Sequence, residues 1–350
     1  MSRLLDQPDG VTYAAAGVSI AAGDEAVARI ASRVATTARP GVLGAIGGFA
    51  GRFALDVARY REPVLVATTD GVGTKLEVAR RVGRYDTIGL DLVAMLVDDL
   101  ACVGAEPLFL LDYVALGALD PARLEEVVGG VVEGCRRAGV ALLGGETAEH
   151  GGVMAPDEID VAGFAVGVVE RGRELGPERV APGDVLIGLG SPGLRSNGYA
   201  LARRVFEGAD LDAPAWPGAA RSLGEELLAP SVIYAPGVAA VGAVVGEDLH
   251  AAAHVTGGGI VGNVARVLPA SLDAVIGMDR FDTPEIFFEI QRRGPVSAEE
   301  MVRVFNCGLG MVLVLAPPAA DAALGAARGA GLEATVVGEV RRGRGAVVLT

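Results

Sequence analysis

Apolar and polar positions follow two rhythms along this chain, and the rhythm changes at glycine and proline. Residues 63–69 form a short apolar run ended by polar residues, which predicts a buried strand. Residues 86–103, DTIGLDLVAMLVDDLACV, are apolar around almost the whole helical circumference and predict a long, mostly buried helix. A strand is expected at 107–116, then a helix over Pro121–Ala138 with Asp120 as N-cap. Residues 140–143 predict a further short strand, ended by Gly144 and Gly145, and 160–170 alternates as a strand does. A helix at 23–37, with Asp24 and Glu25 in its first turn, and a glycine-rich loop at 40–52 precede them. Strand and helix thus alternate over the first half. Residues 171–183, RGRELGPERVAPG, are polar and broken by proline and glycine, and mark the expected domain boundary. Beyond it, strands are expected at 184–189, 250–255, 311–315, 334–340 and 346–349. Helices are expected over 197–206, after TGGG at 256–259, and near 284–293, 298–305 and 319–329. The fold class is α/β (α+β), in two domains, 1–170 and 171–350.

Composition agrees with that division. A length of 350 residues exceeds what one core usually spans, and hydrophobic residues at 51% supply large cores. The formal net charge of −14 repels nucleic acid and anionic membranes, so neither is an expected partner. Any phosphate ligand then needs local neutralisation by loop N–H groups, a metal or a placed cation. Cys102, Cys135 and Cys307 are odd in number, far apart and free of CxxC spacing, which argues against zinc and a disulfide framework and for a reduced compartment. The N-terminus, MSRLLDQPDG, has no apolar signal core. The long uncharged run at 227–246 contains Pro230, Pro236 and much alanine, a poor membrane span. A cytoplasmic location is expected.

Candidate chemistry sits in the glycine loops. TTDGVGTKL, residues 68–76, holds Lys75, the only lysine among 30 basic residues. It is not a P-loop, which needs Gly-Lys-Ser/Thr after a four-residue gap. A strand, a turn through Gly71 and Gly73 and a helix N-terminus still present N–H groups to an anion. Asp70 ends the strand, where open α/β sheets place ligands. A plain turn with a solvated lysine fits the local pattern equally well, but a compact ammonium enters crowded phosphate sites that a guanidinium does not. On the helix at 86–103, Asp91 and Asp98 fall seven apart on one face, and Asp98 and Asp99 have apolar neighbours. Such carboxylates need a partner, either arginine and N–H groups or, together with Asp70, an oxygen-rich Mg2+ site. Glu146, after Gly144 and Gly145, is a weaker candidate for a metal or a ligand hydroxyl. GLGSPG at 188–193 formally matches GxGxxG, but Pro192 and Asn197-Gly198 delay the helix and Asp210 ends no strand, so dinucleotide binding is not expected. RSNGY at 195–199 reads as a polar ligand loop with Ser196 and Asn197 as neutral donors. HVTGGG at 254–259 joins strand to helix as a second phosphate cradle, with His254 either structural or functional. FNCGLGM at 305–311 is a third such loop, and no His or acid stands near Cys307 to make it a nucleophile. Several glycine loops, clustered carboxylates, one lysine and no nucleophile triad suit phosphoryl transfer.

The segments YAAAGVSI (13–20), TTDGVGTK (68–75), DTIGLDLVAM (86–95), GAEPLFLLDY (104–113), GGETAE (144–149), DVAGFAVGVVE (160–170), SNGY (196–199), HVTGGG (254–259) and FNCGLGM (305–311) occur in that order. With them the chain resembles the phosphoribosylformylglycinamidine cyclo-ligase (AIR synthetase) family over nearly its whole length. The resemblance implies a homodimer in which each N-terminal domain contributes strands to a shared β-barrel, beside a C-terminal α/β domain. It implies ATP and Mg2+ as cofactors and formylglycinamidine ribonucleotide as substrate, closed to aminoimidazole ribonucleotide in de novo purine synthesis after ATP phosphorylates the formamide oxygen. Carried onto this sequence, it gives Asp70 and Lys75 to Mg-ATP, with Gly71, Gly73, Thr74, Gly144 and Gly145 as nucleotide contacts. It makes Asp99 a metal ligand, with Asp91 and Glu146 as secondary candidates. Ser196, Asn197, Thr256 and Gly257 would contact the substrate, and His254 joins Lys75 as a catalytic candidate. The chain departs from the family pattern at Ser19 (usually Asp), Asp98 (commonly Asn), Arg195 (often His) and His150-Gly151 (usually Met-Pro). Arg195 bears most on function, because it removes a histidine from the site. Architectural relatives fit less well: selenophosphate synthetase carries a reactive Cys or selenocysteine near its N-terminus, whereas no cysteine precedes Cys102 here. Thiamine-monophosphate kinase remains the alternative phosphotransferase, and the amidotransferase that makes the substrate has a histidine-containing loop in place of TTDGVGTK.

Overall fold

The structure is a computed structural model that describes residues 20–350. Ser19 and most of the segment at 13–20 lie outside the described residues. The first half runs α1 (Ile20–Ala35), β1 (Pro63–Gly71), α2 (Lys75–Val82), α3 (Ile88–Cys102), β2 (Glu106–Leu116), α4 (Pro121–Ala138), β3 (Ala141–Glu149) and β4 (Ile159–Glu170). The second half runs β5 (Val185–Gly190), α5 (Tyr199–Val205), α6 (Leu223–Leu227), α7 (Ala235–Val245), β6 (Leu249–His254), α8 (Gly259–Val264), β7 (Leu272–Ile276), α9 (Glu285–Arg293), α10 (Ala298–Val304), β8 (Leu309–Leu315), α11 (Ala320–Gly329), β9 (Ala334–Arg342) and β10 (Val347–Leu349). Asp120 caps α4 as its sequence predicts, accepting from the N–H groups of Ala122 and Arg123.

Each half has one mixed sheet. In the first, the order is β1-β4-β2-β3, with β4 antiparallel to both β1 and β2 and β3 parallel to β2. The register sets Asp70, Gly163, Asp112 and Gly145 in one row across the sheet. Gly163 leaves room for α3, since a Cβ there would lie 2.7 Å from Leu96 Cδ1. The apolar circumference of α3 is explained by its place, because it packs on β1 and β4 on one side and on β6 and α7 of the second half on the other. The second sheet has the order β10-β7-β9-β5-β8-β6. Its central β5 is antiparallel to both β8 and β9, so GLGSPG leaves a strand with no parallel neighbour and lacks the setting of a dinucleotide fold.

One expectation needs correction. β3 does not stop at Gly144 and Gly145 but runs on to Glu149, because β2 offers a parallel partner along the whole stretch. Gly145 serves close approach here rather than a turn: a Cβ on it would lie 1.7 Å from Asp112 Oδ1. The four-stranded sheet is open among the described residues, with β1 and β3 as its edges, so a single chain closes no barrel. The short elements α6 and β7 went unpredicted, being 5 residues each. The uncharged run at 227–246 contains α7, and no helix among the described residues is long and apolar enough to cross a membrane.

Helices α3 and α4 cross at a glycine pair. A Cβ on Gly89 would lie 2.0 Å from the Val131 nitrogen, and one on Gly130 would lie 2.4 Å from the Asp86 carbonyl oxygen. Backbone cannot yield as a flexible side chain can. Gly89→Ala should therefore destabilise the protein by about 1–3 kcal/mol, the usual cost of overpacking. Thermal unfolding measures it, and an unchanged Tm would mean the helices do not touch there.

Candidate active site

Lys75 opens α2, and its aliphatic stem points into the protein rather than toward solvent. Its Nζ lies 2.6 Å from Asp91 Oδ2, and neither side chain has any exposure. The ammonium also donates to the carbonyls of Ala229, at 2.8 Å, and Arg195, at 3.1 Å. Burial holds its pKa below the ordinary lysine value, with Asp91 opposing that shift. Asp91 Oδ1 accepts from the Ser231 N–H and hydroxyl, at 2.8 and 2.6 Å. Both expectations for this pair are therefore corrected. Lys75 has no donor left for a phosphate, and Asp91 has no oxygen free for a metal. The reason is α3, whose buried middle turns demand a cation and hydrogen bonds for any carboxylate they carry.

Two helical turns further on, Asp98 is again fully buried. Its Oδ1 accepts from the N–H groups of Tyr234 and Ala235 at the start of α7, at 2.7 and 2.8 Å. Its Oδ2 accepts from Arg195 at 2.9 Å. Arg195 also reaches His254 Nε2 at 2.7 Å, and His254 Nδ1 lies 2.9 Å from Asp99 Oδ1. With both ring nitrogens engaged in a buried position, His254 offers no free nitrogen for proton transfer, against its expected catalytic role. Asp99, by contrast, is partly exposed, and so is Asp70 at the end of β1. Asp70 Oδ1 accepts from its neighbour's N–H, Gly71, at 2.7 Å. Burial, and then the charge of Asp99, hold the Asp70 carboxyl above the usual range. Two partly exposed carboxylates that repel each other are a natural place for a cation.

The glycine loops differ in what they leave open. Gly73 and Thr74 are exposed at the N-terminus of α2, and the Thr74 side chain makes no capping bond. Three consecutive residues on the loop before α5 each carry a buried polar atom with no partner: Arg195 Nε, Ser196 Oγ and Asn197 Oδ1. This loop faces 254–259, where a Cβ on Gly257 would lie 3.8 Å from Asn197 Nδ2. Asn263 of α8 pins that second loop, its amide donating to the carbonyls of Thr256, Gly257 and Gly259. The third loop is structural. Asn306 donates to the Gly193 carbonyl and accepts from the Gly308 N–H, and burial pushes the Cys307 thiol up to about 12, which leaves no thiolate nucleophile. Glu146 is exposed within β3, and Gly144 and Gly145 belong to that strand rather than to a phosphate turn.

Ser231, Tyr234, Asn263 and Asp112 escaped the sequence reading. Ser231 and Tyr234 sit in LAPSVIY, where polar groups interrupt an apolar run just before α7, and that interruption was the available signal. Asp112 shares the inward face of β2 with Leu110 and Val114, so an acid at an apolar position in a strand was the clue. It keeps some exposure, yet its apolar neighbours push its carboxyl up to about 7.

Comparison with known proteins agrees with this architecture. The family description "AIR synthase related protein, N-terminal domain" matches residues 55–169, and its C-terminal counterpart matches 181–350. The chain is 52% identical over 336 residues to phosphoribosylformylglycinamidine cyclo-ligase of Anaeromyxobacter sp. (strain Fw109-5), covering 96% of this chain and 97% of the relative. It is 51% identical over 337 residues to the cyclo-ligase of Symbiobacterium thermophilum, covering 95% of each. In fold it is similar to a thiamine-monophosphate kinase from Stenotrophomonas maltophilia, with TM-score 0.68 at 22% identity over 92% of this chain and 95% of that one. It is also similar to the hydrogenase maturation protein HypE in complex with ATP, with TM-score 0.62 at 20% identity over 87% and 84%.

Two predictions follow from the buried groups. Lys75→Met and Asp91→Asn should each cost about 3–5 kcal/mol, because each strands a buried partner. The double variant should cost clearly less than the sum, and additive denaturation midpoints would show that the two groups do not interact. For Asp112, the folded value near 7 lies above the ~3.9 of an unfolded chain. Between those values the folded protein keeps a proton that the unfolded chain has lost, so stability falls as pH rises through that window. Asp112→Asn removes the fall: the variant should be the more stable at pH 8, with the gap closing toward pH 4. A gap that does not change with pH would overturn the assignment.

Proposed function

We propose a function from one premise: the chain belongs to the phosphoribosylformylglycinamidine cyclo-ligase family. It is an ATP-dependent ligase of purine biosynthesis that closes formylglycinamidine ribonucleotide to aminoimidazole ribonucleotide. ATP gives its γ-phosphoryl group to the formamide oxygen and leaves as ADP. The substrate's amidine-side nitrogen then attacks the activated carbon. The bond from that carbon to the phosphorylated oxygen breaks, phosphate departs, and loss of a proton leaves the imidazole ring.

The observation that carries this reading onto the site is the run of unpartnered buried atoms, Arg195 Nε, Ser196 Oγ and Asn197 Oδ1. Buried polar groups are nearly always satisfied, so three in succession point to a polar ligand that completes them. Ser196, Asn197, Thr256 and Gly257 hold the substrate between the two facing loops. Gly73 and Thr74, at the N-terminus of α2, take the nucleotide phosphates with backbone N–H groups, whereas the N–H of Gly71, expected to join them, is already given to Asp70. Asp70 and Asp99 fit Mg2+, whose sites use one or two carboxylates and leave the remaining positions to phosphate oxygens and water. No group of three His, Cys, Asp or Glu among the described residues could hold a metal alone, which suits an ion that arrives with a polyphosphate. When bound, Mg2+ supplies charge neutralisation at the phosphates. Lys75 and His254 contribute by holding the site's walls. The N-terminal domain, 1–170, carries the nucleotide side and the C-terminal domain, 171–350, the substrate side. The enzyme works in the cytoplasm as a homodimer. The outer face of the four-stranded sheet supports that assembly, because it leaves Leu65, Tyr113 and Phe164 exposed at 64%, 38% and 41%. A second copy on that face would give the shared barrel.

Asp99→Asn tests the metal assignment. The variant should need about tenfold or more Mg2+ for half-maximal turnover on synthetic substrate, while its Tm stays within a few degrees of the natural chain. An unchanged Mg2+ requirement would remove Asp99 from the metal site, and ATP binding without ring closure in the natural chain would refute the ligase reading itself.

A further inference from the structure

The function proposed above uses only the free Nε of the buried cation Arg195 and gives no role to its two Nη groups. Its side chain is 1% exposed, and its backbone takes the left-handed conformation with φ of 64°. A non-glycine residue in that region is uncommon and persists where its surroundings hold it. The surroundings here come from three segments, α3, β6 and the stretch leading into α7. Nη1 donates to the Val232 carbonyl at 2.7 Å, Nη2 lies 2.9 Å from Asp98 Oδ2 on α3 and 2.7 Å from His254 Nε2 on β6, and the guanidinium carbon lies 4.7 Å from the Tyr234 ring centroid. A guanidinium only donates, so His254 Nε2 accepts and the ring proton sits on Nδ1. That proton then faces Asp99 Oδ1 at 2.9 Å.

We propose that Arg195 is a positioning residue that locks His254 in its Nδ1–H tautomer and thereby fixes the rotamer of the Asp99 carboxylate beside Asp70. Asp98 anchors the guanidinium from behind, with its other oxygen tied to the start of α7. The order of the relay is Asp98, Arg195, His254, Asp99. It spends one oxygen of Asp99 on the histidine and leaves the other for a cation. The planar guanidinium bonds a carbonyl, a carboxylate and an imidazole nitrogen together while lying against the Tyr234 ring. The tautomer assignment stands on the geometry alone, and only its effect on Mg2+ rests on the function proposed above.

Nitrogen NMR on the ligand-free protein labelled at histidine tests the relay directly. The chain has three histidines, and His254→Gln assigns the signal of interest. The expected result is a His254 ring with protonated Nδ1 and bare Nε2, changing to a mixture or to the Nε2–H form in Arg195→Met. Arg195→Met should also raise the Mg2+ needed for half-maximal turnover by about tenfold, as loss of an outer partner of a metal ligand does, with a smaller change in kcat. The double variant Asp98→Asn with Arg195→Gln keeps a donor toward Nε2 without burying a lone charge. It should restore the Nδ1–H signal even if Arg195→Met folds poorly. A natural protein with Nε2 protonated overturns the proposal, and so does a double variant that folds without restoring the tautomer. A natural chain that shows the tautomer but closes no ring would leave the relay standing and refute the function proposed above.

Discussion

Two carboxylates buried on one apolar helix govern the arrangement of this protein. Asp91 and Asp98 lie two helical turns apart on α3, and each draws in a cation and backbone or hydroxyl donors from elsewhere in the chain. Asp91 holds Lys75 and Ser231, and Asp98 holds Arg195 and the start of α7. Removing such charges from water is expensive, and the Coulomb attraction repays it only when the geometry is good and the remaining lone pairs are bonded. Both conditions are met here. The pairs need not add much net stability to set the structure. Their chief effect is on register, because a slip of α3 against 195–198 or 229–235 would strand a charge in an apolar layer.

That constraint also decides what the cleft can do. The cations nearest the site, Lys75 and Arg195, are consumed internally, and Asp70 and Asp99 leave it acidic. A polyphosphate cannot approach such a site unaided. It needs a divalent ion between itself and the carboxylates, plus N–H groups to take the outer oxygens. In the function proposed above, Gly73 and Thr74 would supply the second and the two aspartates the first. The acidic surface reinforces the requirement over longer range, since the chain carries a net charge of −14.

Periodicity made most of the fold legible. The circumference of α3 and the cap of α4 both reflect local rules, and local rules are readable in one sequence. Failures came where a distant partner decides. Gly144 and Gly145 look like a turn, but β2 extends β3 through them and Asp112 explains the glycine. His254 looks like an acid–base group until Arg195 and Asp99 are seen on its two nitrogens. The loop residues Ser196 and Asn197 were legible as a pair, whereas their lack of partners is visible only in three dimensions. A carboxylate at an inward strand position, Asp112, was readable and passed unnoticed because an apolar run draws attention to its majority.

Lys75 shows how a correct clue can carry the wrong cause. A single lysine among so many arginines suggests a place that excludes a guanidinium, and the structure agrees about the place. Around Nζ stand the Asp91 carboxylate and the carbonyls of Ala229 and Arg195, with the Tyr199 ring centroid 5.6 Å away. Three acceptors meet an ammonium with three protons, and none is left over on either side. A guanidinium would bring five N–H groups in one plane into a cavity with three acceptors, stranding two donors in a dry interior. Selection of lysine at this position thus follows from matching donors to acceptors at the seam between the halves. A phosphate is not needed to explain it. The same count does not select Arg195, whose three acceptors leave Nε without a partner; what distinguishes its place is the Tyr234 ring, whose centroid lies 4.7 Å from the guanidinium carbon and suits a planar cation. Two buried cations on two loops are therefore not interchangeable, and each identity is set by the number and planarity of the groups that surround it.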